Sequence, residues 1–168
     1  MNRDEVIPIL YEMALTIGGE SSVGPLLTRT LQRLLYYTSF PAGFICLDLP
    51  APAAVDAEIL TARLDAAVGD YQLIRHVGEQ LALPRRLLLG PAAKADGQTE
   101  LLSGMPATQG RYHAFLRLPI DKLGVIILMA PRMPETELPL TLMFVHILAH
   151  LSRALLLCRY NEQYASQL

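Results

Sequence analysis

The sequence predicts an α+β fold: a central antiparallel β-sheet with the N- and C-terminal helices on one face and a loop- and helix-covered pocket on the other. Three observations predict it. Residues 112–131 form two predicted strands joined by a short turn, the first with alternating side chains and the second, residues 125–130, apolar on both faces. Apolar residues recur with a helical period at both ends of the chain. Residues 90–110 are irregular and rich in Gly, Ala, Pro, Ser and Thr, as binding loops often are.

We expect a single domain over residues 1–168, with N-terminal helices in 1–40, the sheet and pocket segments in 42–131 and the C-terminal helix in 136–168. Hydrophobic residues make up 52% of the chain and charged residues 18%, which is typical of a globular protein. The net charge of −2 gives no electrostatic case for direct nucleic-acid binding.

The N-terminal ten residues include acidic side chains and too short an apolar run for a signal peptide, so we expect a cytoplasmic protein. Residues 138–158 are almost wholly apolar and about as long as a bilayer span requires. His146, His150 and Arg153 lie in the middle of that run, where polar groups cost most. We therefore expect no membrane helix.

Two helices open the chain. Apolar residues at helical spacing predict the first over residues 4–17, and Pro8 is compatible with it only in its first turn. Ser21 or Ser22 can cap the second helix, with Pro25 in its first turn. Its predicted buried stripe is Leu27, Leu31, Leu34, Leu35 and Thr38.

The middle of the chain predicts two strands and a covering segment. The strands are residues 44–49 and 58–65. Asp70 can cap a helix running to about residue 81, and residues 87–89 read as a short strand. We expect the covering helix to bury Leu73, Ile74, Val77 and Leu81. A helical turn is expected at residues 100–103 within the irregular stretch.

Strand parity in the hairpin separates an apolar face from a basic one. Tyr112, Ala114, Leu116 and Leu118 point one way, and His113, Phe115 and Arg117 point the other. If the second strand neighbours this one, Arg63 and Arg117 frame an anion or a carboxylate-bearing ligand. The predicted ligand-binding residues are Phe44, Cys46, Arg63, His113, Phe115 and Arg117. The alternative is a solvated, charged sheet face.

The last helix, over about residues 138–166, has an apolar arc wider than one core covers. A helix with two apolar flanks usually packs against its own domain and against a partner. We therefore expect a homodimer whose interface is formed by Phe144, Leu148, Leu151 and Leu155. Beyond Cys158 the helix turns polar without a Gly or Pro stop, which predicts that a signal leaves through residues 159–168.

Catalytic and metal chemistry find little support. His146 and His150 are four residues apart on a helix and could both reach one metal, but that face offers no acidic third ligand. No nucleophile elbow, phosphate loop or spaced carboxylate pair is present in the sequence. Cys46 and Cys158 lie far apart in apolar runs and read as small hydrophobes. We expect no enzyme, no metal and no cofactor.

The order of elements resembles a GAF domain over nearly the whole chain. The residues that carry the resemblance are the leucine-rich second helix ending in Phe40-Pro41-Ala42-Gly43, the hairpin segments 115–120 and 123–126, and residues 148–151 and 154–155 of the last helix. The resemblance implies a central antiparallel sheet, a small-molecule pocket and dimers made through the terminal helices. It also implies an output partner such as a bacterial kinase, cyclase or DNA-binding domain.

Marks of the GAF subfamilies with known chemistry are missing from the sequence. The loop at 90–110 has no cysteine of the kind that tetrapyrrole binders use, and the Asn-Lys-x-Phe-Asp-Glu pattern of cyclic-nucleotide binders is absent. Cys46 alone cannot carry the exchange of free-methionine sulfoxide reductases, which use several cysteines. Two functions remain: a ligand-binding sensor that dimerises and signals through its terminal helices, or a dimerisation module with no ligand.

Overall fold

The computed structural model describes residues 3–51, 56–97, 99–102, 105, 111–135 and 140–167. In chain order the elements are α1 Arg3–Gly18, α2 Val23–Thr38, β1 Ala42–Leu47, β2 Ile59–Arg63, β3 Ala66–Val68, α3 Tyr71–Ile74, β4 Gln80–Pro84, α4 Arg85–Leu88, β5 Ala93–Ala95, α5 Thr99–Leu102, β6 Ala114–Ile120, β7 Gly124–Ala130 and α6 Leu140–Gln167. The fold is α+β, as the sequence predicts.

The main sheet has five antiparallel strands in the order β3-β1-β7-β6-β5. Its centre is the predicted hairpin: β6 and β7 pair from Ala114 with Ala130 to Ile120 with Gly124. The strand β7 is buried on both faces, as its continuous apolar sequence predicts. The strands β2 and β4 form a separate two-stranded sheet.

Three long helices cover one face of the main sheet. We call the core between them and the sheet the helix-side core. Side chains from β1, β6 and β7 alternate into it, including Ile45, Leu116 and Leu128. Leu31 and Leu34 of α2 meet them, together with the buried side of α6. This face matches the arrangement predicted from the terminal helices.

The opposite face is covered by the β2–β4 sheet and the short helices α3, α4 and α5, which we call the cover layer. The core between this layer and the main sheet, here the cover-side core, contains Phe44, Cys46 and Phe115 from the main sheet. It is closed by leucines from every part of the cover layer: Leu60, Leu73, Leu83, Leu87, Leu101 and Leu102. The domain therefore has two cores, one on each face of its sheet.

Several predicted elements in the cover layer are wrong. The segment from 70 to 81 is not one helix, because α3 ends at Ile74 and β4 begins at Gln80. Ile74 and Val77, predicted to be buried, are exposed. Residues 87–89 belong largely to the short helix α4, not to a strand. The short strands β3 and β5 were not predicted.

The long helices agree closely with the prediction, with two differences in detail. Pro8 lies inside α1 rather than in its first turn, since the helix begins at Arg3. Ser22 occupies the N-cap position of α2, but its side chain makes no capping hydrogen bond. The first turn of α2 is held by the backbone N–H of Val23, which donates to Glu162 of α6 (2.9 Å).

Candidate functional site

The predicted centre of the pocket is filled with side chains. Phe44 and Cys46 of β1 and Phe115 of β6 lie on one face, as predicted, but each is at most 2% exposed. Ile127 and Met129 of β7 lie between them on the same face. These side chains pack directly against the cover-layer leucines, so this region is a core.

Burial also fixes the chemistry of Cys46. Loss of solvation raises the pKa of its thiol to about 12, with a further contribution from the nearby Asp65 carboxylate. Only the thiolate is an effective nucleophile or metal ligand, so Cys46 is inert at neutral pH. It serves as a small hydrophobe, as the sequence indicates.

Arg117 reaches from β6 into the cover-side face and is held by the backbone of the cover layer. Its Nε donates to the carbonyl of Pro91 (2.9 Å) and its Nη1 to the carbonyl of Arg86 (2.7 Å). The side chain is 9% exposed. Gly90 lies against the guanidinium, and a Cβ at that position would stand 2.7 Å from Nη2.

The positive charge of Arg117 is not balanced nearby. Within the described part of the chain, no carboxylate forms an ion pair with this guanidinium. Desolvation by burial lowers its pKa from the ordinary arginine value. A buried cation held by carbonyl dipoles alone is an unusual arrangement, because most buried charges pair with an opposite charge.

A cavity of about 340 Å³ lies beside this group. It is bounded by residues that follow β1, residues that follow α4, and the β6–β7 turn: Leu49, Pro50, Ala51, Leu88, Leu89, Gly90, Pro119, Asp121, Lys122 and Gly124. Its volume is within the range of small-molecule sites. Gly90 is the shared boundary between the cavity and the Arg117 guanidinium.

Arg63 is not part of the Arg117 environment, contrary to the prediction. It lies on β2, which pairs with β4 in the second sheet and not with β6. Its Nε donates to Asp65 (2.7 Å) and its Nη2 lies 3.6 Å from Asp48. Hydrogen bonding to Asp65 raises the pKa of Arg63 above the ordinary arginine value. Arg63 and Arg117 therefore do not frame one anion.

His113 lies one residue before β6, half-buried, and its backbone N–H donates to Ala130 (3.1 Å). Tyr112 was predicted to share the helix-facing side, but it lies in the cover-side core. The alternation begins only at Ala114, where β6 starts. The Tyr112 hydroxyl donates to the buried carboxylate of Asp70 (2.7 Å), a contact that sequence reasoning missed.

Asp70 has a double role at this point. One carboxylate oxygen caps α3 by accepting from the backbone N–H of Gln72 (3.0 Å), and the other accepts from Tyr112. Burial and the bond to Asp70 raise the pKa of Tyr112 to about 12. The capping role was predicted from the sequence, whereas its partner 42 residues away had no sequence signal.

Most of the predicted dimer interface belongs to the domain's own core. Phe144, Leu151 and Leu155 are buried in the helix-side core, and Leu148 is partly buried against it. Phe144, Leu151 and Leu155 cannot also contact a second copy without leaving the core. The exposed side of α6 carries a separate set of large apolar residues.

We call this exposed surface the terminal-helix stripe. It comprises three exposed side chains on α1 and five on α6, of which Val145 also lines a groove against Leu116 and Leu118 of β6: Ile7, Tyr11, Leu15, Val145, Leu156, Leu157, Tyr160 and Tyr164. The two helices pack side by side, with His150 of α6 within 3.3 Å of the Ala14 carbonyl and Cys158 near the Glu20 carbonyl. Large apolar surface on a monomer usually marks an interaction site.

The two histidines of α6 diverge. His146 is exposed, whereas the Nε2 of His150 lies near the backbone of α1. Within the described ranges, no group of three or more His, Cys, Asp or Glu side chains is placed to hold a metal ion. Over the same ranges, no helix is long and apolar enough to cross a membrane.

A second, open groove lies on the helix side, between β5, β6 and the start of α6. It has a volume of about 430 Å³, and its walls are mostly apolar, with Lys94 at one edge. Lys94 lies opposite Leu116 in the β5–β6 register, so it shares the helix-facing side of the sheet. A lysine on an edge strand discourages pairing with another strand.

Comparison with solved structures identifies the fold. The chain resembles the GAF domain of an Acinetobacter phosphoenolpyruvate-protein phosphotransferase (TM-score 0.68, 15% identity, 93% of this chain and 95% of that one). It also resembles the GAF domain of a phosphoenolpyruvate-protein phosphotransferase from Coxiella burnetii (TM-score 0.67, 17% identity, 97% and 99% coverage).

A third similar structure is the free methionine-R-sulfoxide reductase from Neisseria meningitidis in complex with its substrate (TM-score 0.65, 13% identity, 92% and 90% coverage). No protein-family model matches the sequence, and neither does any curated protein. At these identities the likeness is one of fold, and it confirms the fold expected from the resemblance.

Proposed function

We propose that this chain, which has a GAF-like fold, is a regulatory module without catalytic activity that forms a homodimer through α1 and α6 and signals through α6. The terminal-helix stripe is the observation that carries the proposal. It combines eight large apolar side chains on two adjacent helices of an otherwise well-packed domain. Tyrosines, three of the eight, are favoured at interfaces because they combine apolar area with a polar tip.

A second copy is the occupant that best fits this stripe. Two α1–α6 pairs related by a two-fold axis can pack as a four-helix bundle, in which each stripe covers the other. The helix α6 has 28 residues and is therefore about 42 Å long, so it provides a continuous surface for such packing. A change in the packing of two long helices is a common form of signalling transition.

The test is the substitution Tyr160→Glu, with Tyr71→Glu as its matched control. Tyr160 lies in the stripe and is 64% exposed, whereas Tyr71 lies on α3 in the cover layer and is 75% exposed. Each substitution places a charge on a solvated surface of the monomer. In the dimer, Tyr160→Glu would bury two unpaired carboxylates, and we expect the dissociation constant to rise by at least about 100-fold.

Sedimentation velocity over a concentration series provides the measurement. The proposal predicts that the wild type and Tyr71→Glu sediment as dimers under conditions where Tyr160→Glu sediments as a folded monomer. Equal association of all three proteins would contradict the assignment of the interface to the stripe.

Ligand binding is the second part of the proposed function, and Arg117 is the residue that supports it. The guanidinium is buried, has no carboxylate partner among the residues that the structure describes, and lies behind Gly90 at the edge of a 340 Å³ cavity. Lys122 lines the same cavity. Asp121 also lines the cavity, so Lys122 and the neighbouring Arg117 leave a net positive charge beside mostly apolar walls, which favours a small anion with an apolar part.

The Neisseria reductase supports this part by analogy, because its structure holds a substrate on a similar fold. The competing function is a dimerisation module without a ligand, and the filled cover-side core favours it. The two functions differ in whether the cavity beside Gly90 holds a ligand. A bound ligand would contact the residues after β1, the end of α4 and the hairpin turn at the same time.

A thermal-shift screen of small carboxylates and phosphates distinguishes the two. We expect a ligand that raises the melting temperature of the wild type and of Arg63→Ala equally, and of Arg117→Ala and Lys122→Gln less. Arg63 is the matched control because its charge is engaged by Asp65 and Asp48. If every hit stabilises all four proteins equally, the anion site is refuted and the dimerisation module remains.

A further inference from the structure

Asp48 stands where the two layers on opposite faces of the sheet approach each other. It directly follows β1, and its backbone has φ +58°, a left-handed conformation that aspartate adopts more readily than most residues. Its N–H donates to the carbonyl of Leu123 in the β6–β7 turn (2.7 Å). The next three residues, Leu49 to Ala51, form one wall of the 340 Å³ cavity.

The side chain of Asp48 is shared between two arginines from different layers. Nη2 of Arg159, on α6, lies 2.8 Å from one carboxylate oxygen and 2.9 Å from the other. Nη2 of Arg63, on β2 of the cover layer, lies 3.6 Å from Oδ2. One carboxylate thus bridges the cover layer and the C-terminal half of α6.

In this cluster of Asp48, Arg63 and Arg159, the cover-layer residue Arg63 is tied to the main sheet through Asp65. Nε of Arg63 donates to Asp65 (2.7 Å), and the other oxygen of Asp65 accepts from the backbone N–H of Leu47 (2.6 Å). Asp65 is largely buried, whereas Asp48 is more than half exposed. The exposed element of the cluster is therefore the Asp48 carboxylate, which two cations share.

Arg159, the α6 member of the cluster, lies where α6 leaves the helix-side core. Cys158, one residue earlier, is buried in the helix-side core, and Tyr160, one residue later, is exposed in the terminal-helix stripe. Glu162 holds the start of α2. The ion pair between Arg159 and Asp48 thus lies in the segment of α6 that carries the proposed interface.

We propose that Asp48 is a coupling residue, through which movement of the cover layer or of the cavity wall changes the stability of α6 around residues 156–162. This inference rests on the proposed function in that α6 is the signalling element. Arg63 competes with Arg159 for the same carboxylate and repels its guanidinium. A shift of β2 away from Asp48 therefore strengthens the ion pair between Asp48 and Arg159 of α6, and loss of the Asp48 carboxylate removes that ion pair.

Amide hydrogen exchange of residues 156–162 tests the coupling in three variants and one control. Asp48→Asn removes the charge and keeps a residue that tolerates the left-handed conformation. Arg63→Gln removes the competing cation. The double variant Asp48→Asn/Arg63→Gln shows whether Arg63 acts through Asp48. Asp96→Asn is the control, because Asp96 is also an exposed aspartate but lies in the loop that follows β5, outside the cavity lining.

The coupling predicts opposite signs for the two single variants. Since exposed ion pairs are weak, we expect exchange about two- to fivefold faster in Asp48→Asn and about 1.5- to threefold slower in Arg63→Gln. The double variant should match Asp48→Asn, and Asp96→Asn should match the wild type. Added salt at 1 M should reduce both single effects, because it screens exposed charges.

Two results would overturn the inference. One is unchanged or faster exchange in Arg63→Gln; the other is an effect of Arg63→Gln that persists when Asp48 is already Asn. All of these ion pairs lie within one chain, and the exchange is measured at a protein concentration at which sedimentation velocity shows every variant as a monomer, so the result does not depend on dimerisation. Failure of the coupling is thereby distinguishable from failure of the Tyr160→Glu sedimentation test.

Discussion

Two neighbouring leucines of α6 provide a sharp test of which side of the helix is core and which is interface. Leu155 is 0% exposed and lies in the helix-side core, whereas Leu156 is 54% exposed in the terminal-helix stripe. The substitutions Leu155→Ala and Leu156→Ala remove the same atoms from adjacent positions of one helix. Any difference between them therefore comes from tertiary packing or association, since helix propensity changes equally.

The expected magnitudes follow from burial. Leu155→Ala removes a fully buried side chain and leaves a cavity, which typically costs about 2–5 kcal/mol of unfolding free energy. For a chain of this length, about 3 kcal/mol lowers the melting temperature by roughly 6–12 °C. Leu156→Ala should change the stability of the monomer by less than about 0.5 kcal/mol, because a mostly solvated side chain has little packing to lose.

Urea unfolding followed by circular dichroism, at two protein concentrations, measures both effects. A dimer unfolds at a higher urea midpoint when it is more concentrated. We expect Leu155→Ala to lower the midpoint at both concentrations. We expect Leu156→Ala to reduce the difference between them. If Leu155→Ala is within 0.5 kcal/mol of the wild type, or if Leu156→Ala is equally destabilising, the assignment of faces on α6 is wrong.

Three further predictions concern the sheet and the cover layer. Gly69→Ala should destabilise the protein by more than about 1 kcal/mol in thermal unfolding, because a Cβ there overlaps the Pro41 carbonyl; Gly78→Ala, also at positive φ but with open space around it, should cost less. Tyr112→Phe should lower the free energy of unfolding by about 1–3 kcal/mol, since it removes the hydroxyl donor from Oδ2 of buried Asp70. The pKa of Tyr112 is about 12 in the folded protein and 10.0 ordinarily, so the hydroxyl should stabilise the fold fully below pH 10 and progressively less between pH 10 and 12. The difference in unfolding free energy between the wild type and Tyr112→Phe should therefore shrink over that range, and a difference that does not change with pH would refute this. Cys46, with a pKa of about 12, should have about one thiolate in ten thousand at pH 8 and resist maleimide until the protein unfolds.

The parts of the fold that the sequence predicted are those with long, regular patterns. In the β6–β7 hairpin the sequence of β6 alternates and that of β7 is continuously apolar, each over seven residues. The helix period of α1, α2 and α6 extends over four or more turns. Both signals are local in the chain, and the structure confirms them.

The cover layer was harder to predict from the sequence, because its helices and strands are short and its two strands are far apart in the chain. The strand β4 has five residues and pairs with β2, about 20 positions earlier. The apolar residues Leu73, Leu81 and Leu83 suit a helix or a strand equally well over so short a stretch. The position of Arg63 followed from this pairing, which is why its predicted neighbour, Arg117, is on the other sheet.

The interface prediction failed for a different reason. Apolar residues surround most of α6, so periodicity showed that two surfaces were apolar without showing which one the domain itself covers. Leu155 and Leu156 are indistinguishable in the sequence and differ only in the packed domain. Asp48 and Arg159 gave no signal at all, since their pairing joins residues 111 positions apart.

The central claim is that the terminal-helix stripe is covered by a second copy of the chain. The most direct measurement is the mass of the wild-type protein by sedimentation equilibrium at micromolar concentration. We predict a species of about twice 18.5 kDa that dissociates on dilution. A wild-type protein that remains at 18.5 kDa throughout the micromolar range would contradict the claim.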